Sequence, residues 1–176
     1  MTGDHAVHHQ PTVEQQLEVF RGLAHPVVIV TGRDLSGEPV GLTVSSFTSV
    51  SLTPPLVLFC PSVTSRAWAT ARTWGAFAVN VLDRRQADLA ARFSRPGPRF
   101  AGTPTIPADD GVPLLADALT ALHCEIDAEH PAGDHMVVIG RIHKIHEIGE
   151  GSSLDTATFR QLQRRRHTKK DQTRLS

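Results

Sequence analysis

Residues 41–57 read GLTVSSFTSVSLTPPLV. Their β-branched content and spacing predict a strand, yet Thr43, Ser45, Ser46, Thr48, Ser49, Ser51 and Thr53 put a hydroxyl at most positions. A strand that enters a core should be apolar at every second residue. Here Thr43, Ser45 and Phe47 fall on one face and Val44, Ser46 and Thr48 on the other, so neither face is cleanly apolar. Two readings stand. The stretch is either a polar edge strand, bent by a bulge, or a wall against a ligand with mixed polar edges, whose small side chains let a planar ring approach the backbone.

The surroundings decide the fold class. Upstream, residues 25–47 form two β-rich runs joined by a turn with Asp34, Ser36, Gly37 and Pro39, a hairpin signature. Before it, VEQQLEVFRGL (13–23) places Val13, Leu17, Phe20 and Leu23 on one side at helical spacing. Downstream, PLVLFCP (55–61) predicts a fully buried strand bounded by prolines. SRAWATARTWG (65–75) predicts a helix ending at Gly75, and GAFAVNVL (75–82) another strand. DRRQADLAARFS (83–94) is an amphipathic helix with Leu89, Ala90 and Phe93 inward. Residues 94–113 contain five prolines, a density that predicts a long irregular loop, of the kind that is either functional or disordered. Residues 118–149 are two alternating runs around the turn PAGDH (131–135), a second hairpin.

Strand signals thus cluster with only short helices between them, which favours an antiparallel barrel over a doubly wound sheet. The domain reading is a flexible N-terminus over 1–12, a barrel domain over 13–155 and a polar, basic tail over 156–176, frayed helix or disordered.

Composition excludes several function classes. The 176 residues carry equal numbers of basic and acidic side chains, so no whole-molecule field draws the chain to nucleic acid or a membrane surface. Tyr is absent and aromatics are only 5%, which leaves few platforms for stacking bases. The run RRRHTKK (164–170) reads as a solvated tail. No apolar run reaches the length of a membrane span, and the first residues lack a signal peptide's pattern, so the expectation is a cytoplasmic protein. Cys60 and Cys124 read as buried thiols in a reducing compartment.

Three candidate constellations remain. Ser62, Thr64, Ser65 and Arg66 stand where a helix begins, and their hydroxyls, free N–H groups and guanidinium make an anion seat, although helix capping alone explains the hydroxyls equally well. Arg99 and Phe100 offer a cation and an aromatic face in the Pro/Gly loop. His123, Cys124, His130, His135, His143 and His146 fall within 24 residues, but on the hairpin no three converge, so no metal site is expected. His135 is distinct, because it opens a strand from a Gly-Asp-His turn and can project over a cleft. GxSxG, GxGxxG and GxxxxGK[ST] are all missing, which removes the α/β-hydrolase, Rossmann and P-loop readings.

In order and spacing, GLTVSSFTSVSLTPPLVLFCP, SVTSRAW, FAVNVLDRRQADLAARFS, RFAGTP and HPAGDHMVVIGRI resemble the flavin reductase family built on the FMN-binding split barrel, over residues 20–149. The resemblance implies a mainly β fold, a six-stranded antiparallel split β-barrel with short flanking helices, and a homodimer. It implies an NAD(P)H:flavin oxidoreductase that reduces FMN or FAD with NADH or NADPH and supplies a partner flavin-dependent monooxygenase. By position, Ser45, Ser46, Phe47 and Thr48 would contact the flavin ring and ribityl chain. Ser62, Val63, Thr64, Ser65 and Arg66 would hold the phosphate end, with Trp68 nearby, and Arg99 with Phe100 would close over the cofactor. Pro39, Gly41, Thr43 and His135 would flank the nicotinamide, with His135 positioning it. Relatives commonly end in an aromatic-Arg-Gly-x-Tyr segment that reaches the same site. Phe159-Arg160-Gln161 is its nearest match and lacks the Gly and Tyr. A flavin-binding electron carrier or storage module on the same barrel is the competing reading.

Overall fold

The computed structural model describes residues 11–174, with side chains through residue 165. Most of the expected N-terminal segment, and the side chains of the basic run from 166 onward, lie outside the described residues.

The first hairpin forms where its turn chemistry demands. β1 (Val28–Arg33) pairs antiparallel with β2 (Pro39–Val44), with Val28 opposite Val44 and Thr31 opposite Gly41. Between them, Asp34 Oδ1 accepts the Ser36 hydroxyl at 2.6 Å and the N–H groups of Glu38 and Ser36 at 2.8 and 2.9 Å, while Gly37 takes φ +86°. Those bonds, the Ser36 hydroxyl first, hold the Asp34 carboxyl below its ordinary range.

The hydroxyl stretch is not one strand. β2 ends at Val44 and β3 (Thr48–Leu52) begins after Phe47, with a bulge between Ser49 and Ser51 where β3 pairs with β4 (Pro55–Phe59). The sheet order is β2-β1-β5-β8-β9-β4-β3, in which β5 is Ala76–Val81, β8 Thr120–Ala132 and β9 His135–Glu147. All paired neighbours run antiparallel. The two edges, β2 and β3, are consecutive in sequence, and four residue steps reach at most about 14 Å. The sheet therefore curls until its edges nearly meet without pairing, which makes an open, split barrel. Its strands number seven, against the six expected, because the break at 45–47 turns one run into two.

Two further elements depart from expectation. β6 (Thr105–Pro107) pairs with β7 (Pro113–Leu115), so the end of the proline-rich segment is a small ladder and not open loop. The tail from Thr156 is an ordered helix, α4 (Thr156–Arg174). Its start is stitched to the sheet by Val27 N–H to Leu154 O and Leu154 N–H to Leu82 O, both 2.8 Å, and Phe159 and Leu162 pack on a core cluster. α1 (Val13–Arg21) forms with a Thr12–Gln15 capping box, but no residue of it is buried. The strand PLVLF, expected to be fully buried, hides only Val57 and Phe59.

β1 is buried on both faces. Val28 and Val30 enter the barrel core with Phe59, Trp68, Phe77 and Val138, while Ile29 faces a second cluster made by Leu82, Ala90, Phe93 and Leu154 under α3 (Ala87–Phe93) and α4. The polar residues between are satisfied: Asn80 Nδ2 donates to Ile29 O and Thr31 Oγ1, and its Oδ1 accepts Leu115 N–H.

Candidate functional site

Where β2 leaves the sheet, a groove of about 1140 Å³ opens between the end of β2, residues 60–67, residues 93–99 and His135. It exceeds the usual upper range for a drug-sized ligand, roughly 1,000 Å³. The lining includes the sequence candidates Thr43, Ser45, Ser46, Ser62, Thr64, Ser65, Arg66, Arg99 and His135 and, among the described residues, no Asp or Glu.

The hydroxyls differ in what they already hold. Ser46 Oγ accepts Cys60 N–H at 2.8 Å and donates to Cys60 O at 3.3 Å, tying the chain at the split to the end of β4. Thr43 Oγ1 donates to Ala90 O at 2.7 Å and so fixes α3 beside β2. Ser65 caps α2 (Arg66–Ala71) by accepting Trp68 N–H at 3.3 Å. Ser62 and Thr64 join hydroxyls at 2.9 Å. Ser45 is exposed and unpartnered among the described residues.

The cations differ in the same way. Arg66 is exposed at the groove and makes no hydrogen bond or ion pair among the described residues. Arg99 is half-buried and committed to backbone: Nε donates to Arg95 O at 2.8 Å and Nη1 to Gly41 O at 2.7 Å. Burial lowers its pKa from the ordinary arginine value. His135 Nδ1 lies 2.7 Å from Asp134 Oδ1, and that hydrogen bond holds the Asp134 carboxyl below its usual range. With Asp134 ionised, Nδ1 donates and Nε2 is left as the second ring nitrogen for a ligand. The hairpin tip that carries them is fastened across the groove's floor by Met136 N–H to Pro61 O (2.9 Å) and Val63 N–H to Asp134 O (3.0 Å).

Other candidates lie outside the lining. Trp68 is 3% exposed, stacked edge-on with Phe59 and Phe77 at 4.9 and 5.7 Å, and its Nε1 donates to Glu129 at 3.0 Å: it anchors α2 to the barrel. Phe100 packs edge-on against Phe93, centroids 5.0 Å apart, and it is Phe93 that lines the groove. Gly41 is covered by the same ring, so a Cβ there would stand 2.8 Å from Phe93 Cε1. Phe47 packs on the barrel core, while Pro39, Thr48 and Val63 are exposed. Phe159 belongs to the second core cluster, and Arg160 donates to Arg21 O at 2.7 Å.

The structure adds Cys60, Pro61, Ser94, Pro96 and Gly97 to the walls. Only the proline-glycine density of 96–98 signalled any of them. Cys60 is a half-buried groove residue, in contrast to its reading as a core thiol, whereas Cys124 is fully buried and its thiol is pushed up to about 12 by that burial. The clustered histidines pair separately, His123 with Asp110 and His143 with Glu125, each at 3.0 Å. Among the described residues, no three His, Cys, Asp or Glu side chains group as metal ligands, and no helix is long and apolar enough to cross a membrane.

Comparison with known proteins bears on what such a groove holds. Residues 20–164 match the family described as flavin reductase like domain. The chain is 40% identical over 156 residues to the flavin-dependent monooxygenase reductase subunit HsaB of Rhodococcus jostii, covering 88% of this chain and 80% of that one. It is 40% identical over 116 residues to the FMN reductase (NADH) SmoA of Agrobacterium fabrum, covering 66% of each. Among solved structures, the NADH:FAD oxidoreductase SgcE6 of Streptomyces globisporus superposes with a TM-score of 0.74 at 31% identity, over 84% of this chain and 92% of that one. Some relatives are longer, and the chain spans 40% of a probable flavin reductase of Rhizobium meliloti.

Proposed function

The chain belongs to the flavin reductase like domain family, and from that premise we propose that its groove binds FMN or FAD with NADH or NADPH and delivers reduced flavin to a separate monooxygenase. One observation carries the reading. The groove holds a guanidinium, Arg66, that is uncommitted among the described residues and stands beside the Ser62–Thr64 hydroxyl pair, and the described lining contains no Asp or Glu, which suits a ligand that is anionic at one end and planar at the other.

The residues present fit that ligand. Arg66 and the Ser62–Ser65 turn would receive its phosphate. Ser45 and the backbone beside it would face polar ring edges, and Leu42, Val44 and Phe93 would supply apolar surface. His135, oriented by Asp134, would position the nicotinamide. The chemistry a bound flavin supplies is acceptance of a hydride from the reduced nicotinamide. The chain's task is then to stack two rings, exclude water and present fixed dipoles, which asks of His135 and Asp134 a positioning role and no proton transfer.

The proposal includes a cytoplasmic homodimer. The uncovered apolar face of α1, with Val13 73% and Phe20 56% exposed, supports burial against a second copy. Phe20→Asp should convert a dimer to a monomer in sedimentation, and a native monomer would refute the assembly. The competing carrier reading draws on Phe159 and Arg160, which are held away from the groove. Oxidation of NADH and NADPH, with FMN, FAD or neither, separates the two. Flavin-dependent turnover is expected; binding without turnover makes the protein a carrier. Arg66→Ala should weaken FMN by about 1.5–3 kcal/mol and leave riboflavin unchanged, and equal effects on both would remove Arg66 from the phosphate site.

A further inference from the structure

One wall of the groove, with Ser94, Pro96, Gly97 and Arg99 in the lining, comes from the irregular segment 94–104, yet that segment is held by an ordered set of bonds. Arg99 Nη1 reaches across to Gly41 O on β2, while Nε of the same guanidinium returns to Arg95 O. On the outer side of the loop, Arg92 Nη1, from the last turn of α3, donates to Ala101 O and to Thr103 Oγ1, both at 2.9 Å. Thr103 Oγ1 donates in turn to Arg99 O at 3.3 Å, and Phe100 closes the loop onto Phe93. Gly97 and Gly102 take positive φ, so the backbone reverses twice within the span these two arginines brace. The two planar guanidinium groups satisfy Arg95 O and Ala101 O within the proline-rich segment and tie it to Gly41 O on the edge strand β2.

We propose that Arg92 and Arg99 are positioning residues for the flavin groove: they act as struts that fix the 94–104 wall against β2 and α3, and neither is a ligand of the flavin phosphate. The inference rests on the flavin reading of the groove. It assigns to Arg99 a role different from the cofactor contact its sequence position suggested, and it gives a role to Arg92, which does not line the groove. Both nitrogens that fasten Arg99 are aimed at backbone oxygens, so its departure would free the wall before it removed any charge from the ligand.

Hydrogen–deuterium exchange of the ligand-free protein, with binding titrations of FMN and riboflavin, tests this on Arg92→Ala and Arg99→Ala. Amides in 95–103 should exchange about tenfold faster in both variants while those of β1 and β5 stay protected, which separates a local release from general destabilisation. Both variants should weaken FMN and riboflavin by the same factor, roughly tenfold for Arg99→Ala and less for Arg92→Ala, because a displaced wall misplaces the ring whatever its side chain carries. Unchanged exchange in 95–103 overturns the proposal, as does faster exchange with unaltered affinity. A loss confined to FMN, with Arg92→Ala silent, makes Arg99 a phosphate ligand and also overturns it. If the wild-type chain binds neither flavin, the flavin reading fails, whereas the exchange result still decides whether the struts exist.

Discussion

Residues 41–46 and 48–52 have nearly the same composition and opposite fates. In the first, Gly41, Leu42 and Val44 are buried, Thr43 bonds Ala90 O, Ser46 bonds Cys60, and Ser45 faces the groove. In the second, β3 is a solvent-facing edge strand in which only Ser51 is even half-buried, and Leu52 is 90% exposed. The bent-edge reading describes the second half, and the first half supplies groove lining on which the proposed ligand-wall reading rests. Both halves belong to edge strands, and what separates them is what packs beside each: β2 carries α3 and the 94–104 wall on its flank, whereas β3 pairs with β4 and is otherwise largely exposed among the described residues.

The largest effect that would test the contrast comes from Gly41. A Cβ at this residue meets Phe93 Cε1 at 2.8 Å and Val30 O at 3.1 Å, so Gly41→Val drives a side chain into both the second core cluster and the acceptor of the Arg99 strut. Overpacking of this kind costs about 3 kcal/mol, and flavin affinity should fall with it. Thermal unfolding and a flavin titration check both. A variant with unchanged melting and binding would show that β2 is no more constrained than β3.

A smaller effect separates two serines of the same stretch. Ser46→Ala leaves the half-buried Cys60 N–H without its acceptor at the point where the split is tied, a cost of about 1–2 kcal/mol. Ser49→Ala, on the exposed edge, should stay within roughly 0.5 kcal/mol of the parent. Denaturant midpoints measured side by side decide it, and equal losses would erase the distinction.

Much of this was legible beforehand because it is local. The Asp34–Gly37 turn, the PAGDH turn and the helix cap at Ser65 follow from short-range chemistry, and each appears where the residues predict it. The missed features depend on partners far along the chain. Trp68 is drawn into the core by Phe59, Phe77 and Glu129, 61 residues away, so its place beside a helix start said nothing of its burial. Arg99 reads in the sequence as a loop arginine beside an aromatic, and its bond to the carbonyl of Gly41, 58 residues upstream, has no local signal. Phe159 followed a polar, glycine-containing stretch and read as tail, but Leu154 threads into the sheet and delivers it to the core.

The two cysteines sharpen the same contrast with the least disturbance. Cys60 is backbone-bonded to Ser46 and lines the groove, so a thiol reagent should reach it, and FMN should slow the reaction by covering that wall. Cys124 is fully buried in the barrel core, where burial pushes its thiol up to about 12, and the reactive thiolate is scarce at pH 8. Native protein should therefore release chromophore for one thiol, and the second should appear only in denaturant. Labelling of Cys60 that ignores saturating FMN would place the flavin elsewhere. Equal native reactivity of both thiols would mean that the core around Phe77 and Val138 is open, and that groove and core are not the separate compartments the strand pattern implies.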